Sequence, residues 1–362
     1  MNMNKLFPMN YLIMLDFLDE EEEELDENTQ CMFKRKTRII RPRMNWFNIY
    51  NADDFRKRFR LRKEDALILL QKISHTLTFK TDWNHAISPM IQLLIALRFY
   101  STGSFVIIIS EFVGVSNASA TKIVHRVSSA IAALSKEYIK FPLEPEDILR
   151  TQAGNFEKSG FIRVLGAIDC IHITIQSYGG EYAELFRNRK GFFSLNVQVI
   201  VNSKLQIMDI VARWPGSSHD STIFNNSRIK HRFEVGEFGN SLLLGDSGYP
   251  NLPYLLTPLI NPKSPAEILY NEAQIRTRSM VERCFGIWGR IFPVLTIGSR
   301  FRTPERTMNV IISCAVLYNI IRSNVEENIT IDQYNNIVRN YNENLHADER
   351  RYLIESYFQS CL

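Results

Sequence analysis

The stretch FIRVLGAIDCIHITIQ, residues 161–176, constrains the fold most. It is a long run of apolar and β-branched residues, which reads as a strand. Asp169 interrupts it where a buried side chain is otherwise expected. Two more strands follow in FFSLNVQVIVNSKLQIMDIVARWPG, with Asn202 and Ser203 at the hairpin turn. DSTIFNNSRIKHRFE reads as helix, SLLLGDSGYP as strand and turn, and YLLTPLI as a short strand. Residues 266–291 and PERTMNVIISCAVLYNIIRS return to helical spacing. The class expected is therefore α/β.

Before this region the spacing is helical throughout. Leu61 precedes Ala66, Leu67, Leu69, Leu70 and Ile73, an amphipathic pattern. SPMIQLLIALRFYSTGSF predicts a helix capped by Ser88 with Pro89 in its first turn. A short apolar helix then reaches Gly114, and a second starts at Ser116 with Ile123, Val124, Val127 and Ile131 as its apolar face. Two helices joined by a glycine-containing turn form a helix-turn-helix arrangement. The second would present Asn117, Ser119, Lys122 and Arg126 outward, side chains suited to a major groove. A helical hairpin of a bundle has the same spacing.

The charge is unevenly placed. Residues 16–27 hold nine acids and no base, and Lys34, Arg35, Lys36, Arg38, Arg41 and Arg43 follow within ten residues. The basic cluster suits nuclear import or a phosphate-binding arm; attraction between the two halves of a solvated tail is the bland reading. Without the acidic block the chain has 43 bases against 30 acids, which favours a polyanionic partner. Five scattered cysteines without a CxxC pair fit a reducing compartment and disfavour structural zinc. No run of 18 apolar residues predicts a membrane helix, and the first residues lack the pattern of a signal peptide.

Three acids carry the candidate chemistry. Asp169 lies in a strand, Asp246 follows the strand LLLG, and Glu282 borders the apolar stripe Val281, Cys284, Phe285 and Trp288 of a helix. Clustered carboxylates repel and need a cation, and hard oxygen donors select Mg²⁺ or Mn²⁺. Two such ions can activate a nucleophile and stabilise the leaving oxygen of a phosphodiester. Each acid also has a structural reading: Asp169 as a strand-end residue, Asp246 as a turn former, Glu282 as an i,i+4 partner of Arg278. Gly245 and Gly248 are expected to let the backbone turn sharply around Asp246. Phosphate loops of the GxxxxGK[ST] type, GxSxG elbows and metal-spaced histidine pairs do not occur in the sequence.

The order strand, strand, helix, with separations of 77 and 36 residues, is what a ribonuclease-H-like nuclease requires. The motifs ISPMIQLLIALRFYSTGSF, AIDCIHI, NRKGFFSLNVQ, WPGSSHDS, LLGDSGYP, YLLTPL and TRSMVERCFG resemble those of the PIF/Harbinger transposases and the nucleases derived from them, across about residues 46–322. The resemblance implies a ribonuclease-H-like DDE core, a mixed sheet flanked by helices, after an all-α region with a helix-turn-helix. It implies a helical region at 45–145 and the catalytic domain at 146–325; composition adds a flexible tail at 1–44 and a polar tail at 326–362. Carried over, Asp169, Asp246 and Glu282 are the catalytic and metal-holding acids for two Mg²⁺ or Mn²⁺ ions. His219 and Asp220 match the family's HD motif, His219 as a supporting residue and Asp220 as a candidate for metal contact. Arg187, Arg189 and Lys190 match its basic hairpin, where phosphate contacts are expected. Two departures stand out: GRIF keeps only Arg290 of a basic run, and Tyr318-Asn319 replaces a His-Asn pair.

Two functions follow as expectations. One is a metal-dependent endonuclease or transposase acting on double-stranded DNA. The other is a domesticated nuclear protein that binds DNA or a partner, its nuclease activity weak or lost. The resemblance also implies a Myb-like accessory protein, a homo-oligomer and a nuclear location with a cytoplasmic pool. A glycosidase with paired carboxylates is disfavoured by the basic body and the motif order.

Overall fold

The computed structural model describes residues 43–79, 86–301, 303–323, 331–341 and 345–362. Apart from Arg43 and Met44, the tail read at 1–44 lies outside them, as does most of its basic cluster. Residues Asn45–Leu362 form one compact unit.

Its first part is helical: α1 (Trp46–Ile49), α2 (Ala52–Phe59), α3 (Lys63–Leu77), α4 (Pro89–Thr102), α5 (Val106–Val113), α6 (Asn117–Ala133), α7 (Ser135–Tyr138) and α8 (Pro145–Ser159). The amphipathic reading of α3 holds for Ala66, Leu69 and Ile73, which are buried, but Leu67 is exposed. α4 starts at Pro89 after Ser88, as expected. α5 stops because Gly114 takes the left-handed conformation at φ 76°, and α6 starts where the Ser116 side chain accepts from the Ser119 backbone. The two axes are bent by 105° at this turn. No single helix among the described residues is long and apolar enough to cross a membrane.

The second part is a mixed α/β arrangement. Strands β1 (Val164–Thr174), β2 (Ser194–Val201), β3 (Ile207–Pro215), β4 (Leu242–Leu244) and β5 (Leu255–Leu256) make one sheet in the order β3-β2-β1-β4-β5. β1, β2 and β3 pair antiparallel; β4 runs parallel to β1, and β5 to β4. The β2–β3 turn spans 202–206 rather than two residues, since Asn202 accepts from the Gln206 backbone and Leu205 takes φ 58°. The segment after β3 breaks into α9 (Asp220–Asn225) and α10 (Arg228–Glu234), because Ser227 caps a new start. α11 (Pro265–Ile291) begins with a capping box of Ser264 and Glu267. α12 (Val294–Ile297) and α13 (Pro304–Arg322) follow.

The first half of β1, Val164–Ile168, is buried because both of its faces are covered. On one side Val164, Leu242, Leu244 and Leu256 pack with Ala266, Tyr270 and Ala273 of α11. On the other, Leu165, Ile168, Ile200 and Leu243 pack with Phe224 of α9 and with Ile229 and Phe233 of α10. α13 touches both α6 and β3, and so joins the helical region to the sheet. Its Asn319, from the Tyr-Asn pair, is buried; its amide donates to the carbonyls of Tyr138 and Ile207 and its oxygen accepts from Ile207. The residue type at this position is thus explained by a buried backbone clip.

Residues 326–362, read as a polar tail, behave differently where they are described. α14 (Ile331–Val338) and α15 (Glu349–Leu353) bring Tyr334, Val338 and Leu353 into the core under α11, and Ile354, Tyr357 and Phe358 join them. The apolar residues there are too sparse to look like a core segment in sequence, yet most of them face inward; Ile337 and Leu362 are exposed. A buried ion pair between Arg163 and Glu349 fastens this segment to the start of β1, and both side chains are fully buried.

Candidate functional site

The sheet and α11 bring the acids to one end. Asp169 occupies the middle of β1 opposite Val199 of β2. Asp246 follows β4 after Gly245. Because β4 runs parallel to β1, its end delivers Asp246 to the same end of the sheet. Asp220 begins α9, and Asn196 of β2 donates to its Oδ1 at 3.0 Å and to the Ser218 carbonyl at 2.9 Å. A methyl on Gly248 would stand 3.0 Å from Oδ1 of Asp246 and 3.7 Å from Oδ2 of Asp220, so both carboxylates close on this glycine. Gly248 also donates its N–H to Oδ1 of Asp246 at 2.9 Å. Neither Gly245 nor Gly248 has positive φ. Their value is room: a Cβ on Gly245 would meet the Tyr249 ring at 3.0 Å.

α11 presents one polar stripe to this end, at positions four residues apart. Gln274, fully buried, donates to the Gly245 carbonyl at 2.7 Å and pins the loop that carries Asp246. Arg278 reaches Oδ2 of Asp169 at 3.5 Å and Oε1 of Glu282 at 2.6 Å. Glu282 is about half exposed and turned back along its own helix. Among the described residues no three His, Cys, Asp or Glu side chains stand in a geometry that would hold a metal ion. Asp169, Asp220 and Asp246 come together; Glu282 is tied to them through Arg278, which is the structural reading of that residue.

Burial pushes the Asp169 carboxyl up to about 6, helped by repulsion from Asp246 and Asp220, while the Cys170 N–H and Arg278 oppose the rise. The donor set, aspartates with one adjacent glutamate, offers hard oxygens and an excess of negative charge. That chemistry suits a hard divalent cation, but with Glu282 paired to Arg278 the described side chains do not form a metal-holding geometry.

An unfolded aspartate titrates near ~3.9. The folded chain holds the Asp169 proton up to about 6, so this group's stabilising contribution is complete at low pH and is lost as pH rises through about 6. In EDTA, Asp169→Asn should therefore melt progressively higher relative to wild type between pH 4 and pH 7. Parallel melting curves across that range would contradict the shift.

The remaining candidates are dispersed. His219 is exposed and sits at the N-cap position of α9 beside Asp220, without a side-chain capping bond. Arg187 pairs with Glu184 at 2.7 Å and lies over the Phe193 ring, so it braces its own hairpin. Arg189 and Lys190 at the hairpin tip are exposed, and they press the half-buried His172 imidazole down less than burial itself does. Asn117 and Lys122 are exposed on α6, and Ser119 is half-buried. The Arg126 guanidinium sits 4.4 Å from the Phe79 ring centroid. Sequence reading missed Asn196 and Gln274, and did not see Arg278 reach Asp169. The stripe Gln274, Arg278, Glu282 was the signal available.

Residues 168–319, which contain all four acids, match the family described as DDE superfamily endonuclease. The chain is 33% identical over 263 residues to the Homo sapiens protein named "Putative nuclease HARBI1", covering 70% of this chain and 72% of that one. The Rattus norvegicus protein of the same name is 34% identical over 254 residues, with 70% and 72% covered. "Protein ALP1-like" of Arabidopsis thaliana is 26% identical over 250 residues, 64% of this chain and 60% of that one. No solved structure matches. With its acids on β1, after β4 and on α11, the chain belongs to the Harbinger transposase-derived family of DDE superfamily endonucleases.

Proposed function

We propose that the protein is a metal-dependent endonuclease that cleaves phosphodiester bonds of double-stranded DNA. The observation that carries this reading is the convergence of Asp169, Asp246 and Asp220 at one end of the sheet with Glu282 adjacent. The strand order β3-β2-β1-β4-β5, with three antiparallel strands followed by two parallel ones, supports a ribonuclease-H-like core. Asp169 and Asp246 would hold the cation, with Asp220 beside them on α9 and Glu282, now paired with Arg278, as the remaining candidate. When bound, Mg²⁺ or Mn²⁺ supplies charge neutralisation for the phosphate and acidifies a nucleophilic water. Gln274 and Asn196 keep Asp246 and Asp220 in place. Arg189 and Lys190, exposed on the hairpin tip, contact backbone phosphates. The 105° bend between α5 and α6 supports a helix-turn-helix, with α6 presenting Asn117, Ser119 and Lys122 to the major groove. Arg126 serves that helix by stacking on Phe79. The same reading places the protein in the nucleus with a Myb-like partner.

The Arg278–Glu282 contact favours a second reading, a DNA-binding protein whose acids no longer cut. One assay separates the two. Purified protein with Mn²⁺ should nick duplex DNA carrying its cognate terminal repeats, and EDTA should stop it. Equal background cleavage with and without the metal would overturn the enzyme reading.

A further inference from the structure

A second concentration of charge lies on helices outside the sheet. The run RKRFRLRK, residues 56–63, holds six bases. Phe55, Phe59 and Leu61 are buried and anchor it, which leaves Arg56, Lys57, Arg58 and Arg60 exposed. Of the nearby acids, Asp65 is held by two hydrogen bonds from Arg62 and Asp54 by the Asn51 side chain, while Asp53 and Glu64 are exposed. Arg98 of α4 comes up beside the run and donates to the Arg58 carbonyl at 3.3 Å. Burial lowers the Arg98 pKa, and repulsion from Arg58 and Arg60 lowers it further. Six bases against the four acids of residues 53–65 leave an excess of like charge, which opposes folding and gains from an added anion.

Two further features point to a ligand. Arg60 sits at φ 66°, in the left-handed region that glycine or asparagine occupies with less strain. A β-carbon is tolerated there and carries a guanidinium into solvent. The guanidiniums are also oriented by rings: Arg58 lies 4.4 Å from the Tyr50 centroid, and Arg98 lies 6.0 Å from that of Phe112, which stacks on Trp46 at 4.4 Å. The Arg58 guanidinium, laid on the Tyr50 face, is oriented with its N–H groups directed outward, a geometry suited to phosphate oxygens, whereas one N–H of Arg98 is taken up by the Arg58 carbonyl.

We infer that Arg58, Arg60 and Arg98 form a binding surface for the phosphate backbone of duplex DNA. Phe112 belongs to α5, so the surface borders the first helix of the α5–α6 pair, the helix that crosses the backbone in a helix-turn-helix complex. The inference rests on that reading of α5 and α6, and not on cleavage. An acidic protein segment offers the same charge, but its carboxylates are not spaced along a rigid rod as phosphates are.

The experiment measures binding of a 30-base-pair duplex to the full chain by fluorescence anisotropy in EDTA, as a function of salt. Each lost phosphate contact lowers the slope of log K against log salt by about 0.9. Arg58→Gln with Arg60→Gly should lower it by roughly 2. Arg60→Gly alone should lower it by about 0.9 while melting no lower than wild type, because glycine relieves the left-handed strain. An unchanged slope in the double variant overturns the inference. If Asn117→Ala with Lys122→Ala weakens binding while the double variant does not, the surface assignment falls and the α6 reading stands. If the wild-type chain binds no duplex at low salt, both fall. Polyglutamate binding as tightly as the duplex, and weakened as much by the double variant, would assign the surface to an acidic protein instead.

Discussion

Asp246→Asn is expected to abolish Mn²⁺-dependent cleavage while leaving the fold intact. The substitution is nearly isosteric, and the asparagine oxygen can still accept the Gly248 N–H that Oδ1 of Asp246 accepts at 2.9 Å. Gly245 keeps its bonds to Leu256 and Gln274, so the loop retains its path. What disappears is one negative charge from the group shared with Asp169 and Asp220. Losing an outer-shell partner of a metal site costs about 10–100-fold. Removing a charge that holds the ion should exceed that, in cleavage rate and in Mn²⁺ affinity measured by electron paramagnetic resonance. A variant that binds Mn²⁺ and cuts like wild type would remove Asp246 from the site. A variant that loses its melting transition would show a role in folding instead.

The largest effect on stability should come from Glu349. Its carboxylate is fully buried against the equally buried Arg163 guanidinium, and its Oε2 accepts the His346 N–H at 2.7 Å. Arg163 also donates to the Tyr341 carbonyl, and its backbone N–H meets the Tyr334 hydroxyl at 2.9 Å. Glu349→Ala strands a guanidinium in the core and should cost about 3–5 kcal/mol, read as a fall in the urea midpoint. Replacing the pair together, Arg163→Met with Glu349→Leu, should recover most of the loss, because no uncompensated charge remains. A Glu349→Ala protein that unfolds at the wild-type midpoint would show that the C-terminal segment is not fastened to β1 through this pair.

These two sites show what was legible in the residues. β1 and β4 could be read because apolar runs bounded by turn residues are local signals, and a carboxylate inside such a run stands out. α11 could be read from its period over residues 266–291, one residue short of its actual start at Pro265 after the Ser264 cap. Glu349 could not be read. It sits among charged residues in a stretch of ordinary surface composition, and its partner lies 186 positions away. Leu67 failed for a related reason: periodicity ranks apolar residues by position on a helix, whereas burial depends on which neighbours arrive.

By itself the sequence determined the α/β class and the order of most elements, because these follow from local periodicity, caps and turns; the candidate acids came from the motifs that resemble the family. The tertiary structure decided which of those acids meet. Parallel pairing of β4 with β1 carries Asp246 towards Asp169, and Asn196 holds Asp220 at the start of α9. The i,i+4 geometry of α11 sets Arg278 between Asp169 and Glu282. Contacts of this kind depend on distances in space between residues far apart in the chain. That is why Arg278 is an ordinary helix cation in the sequence and a bridge between two carboxylates in the fold.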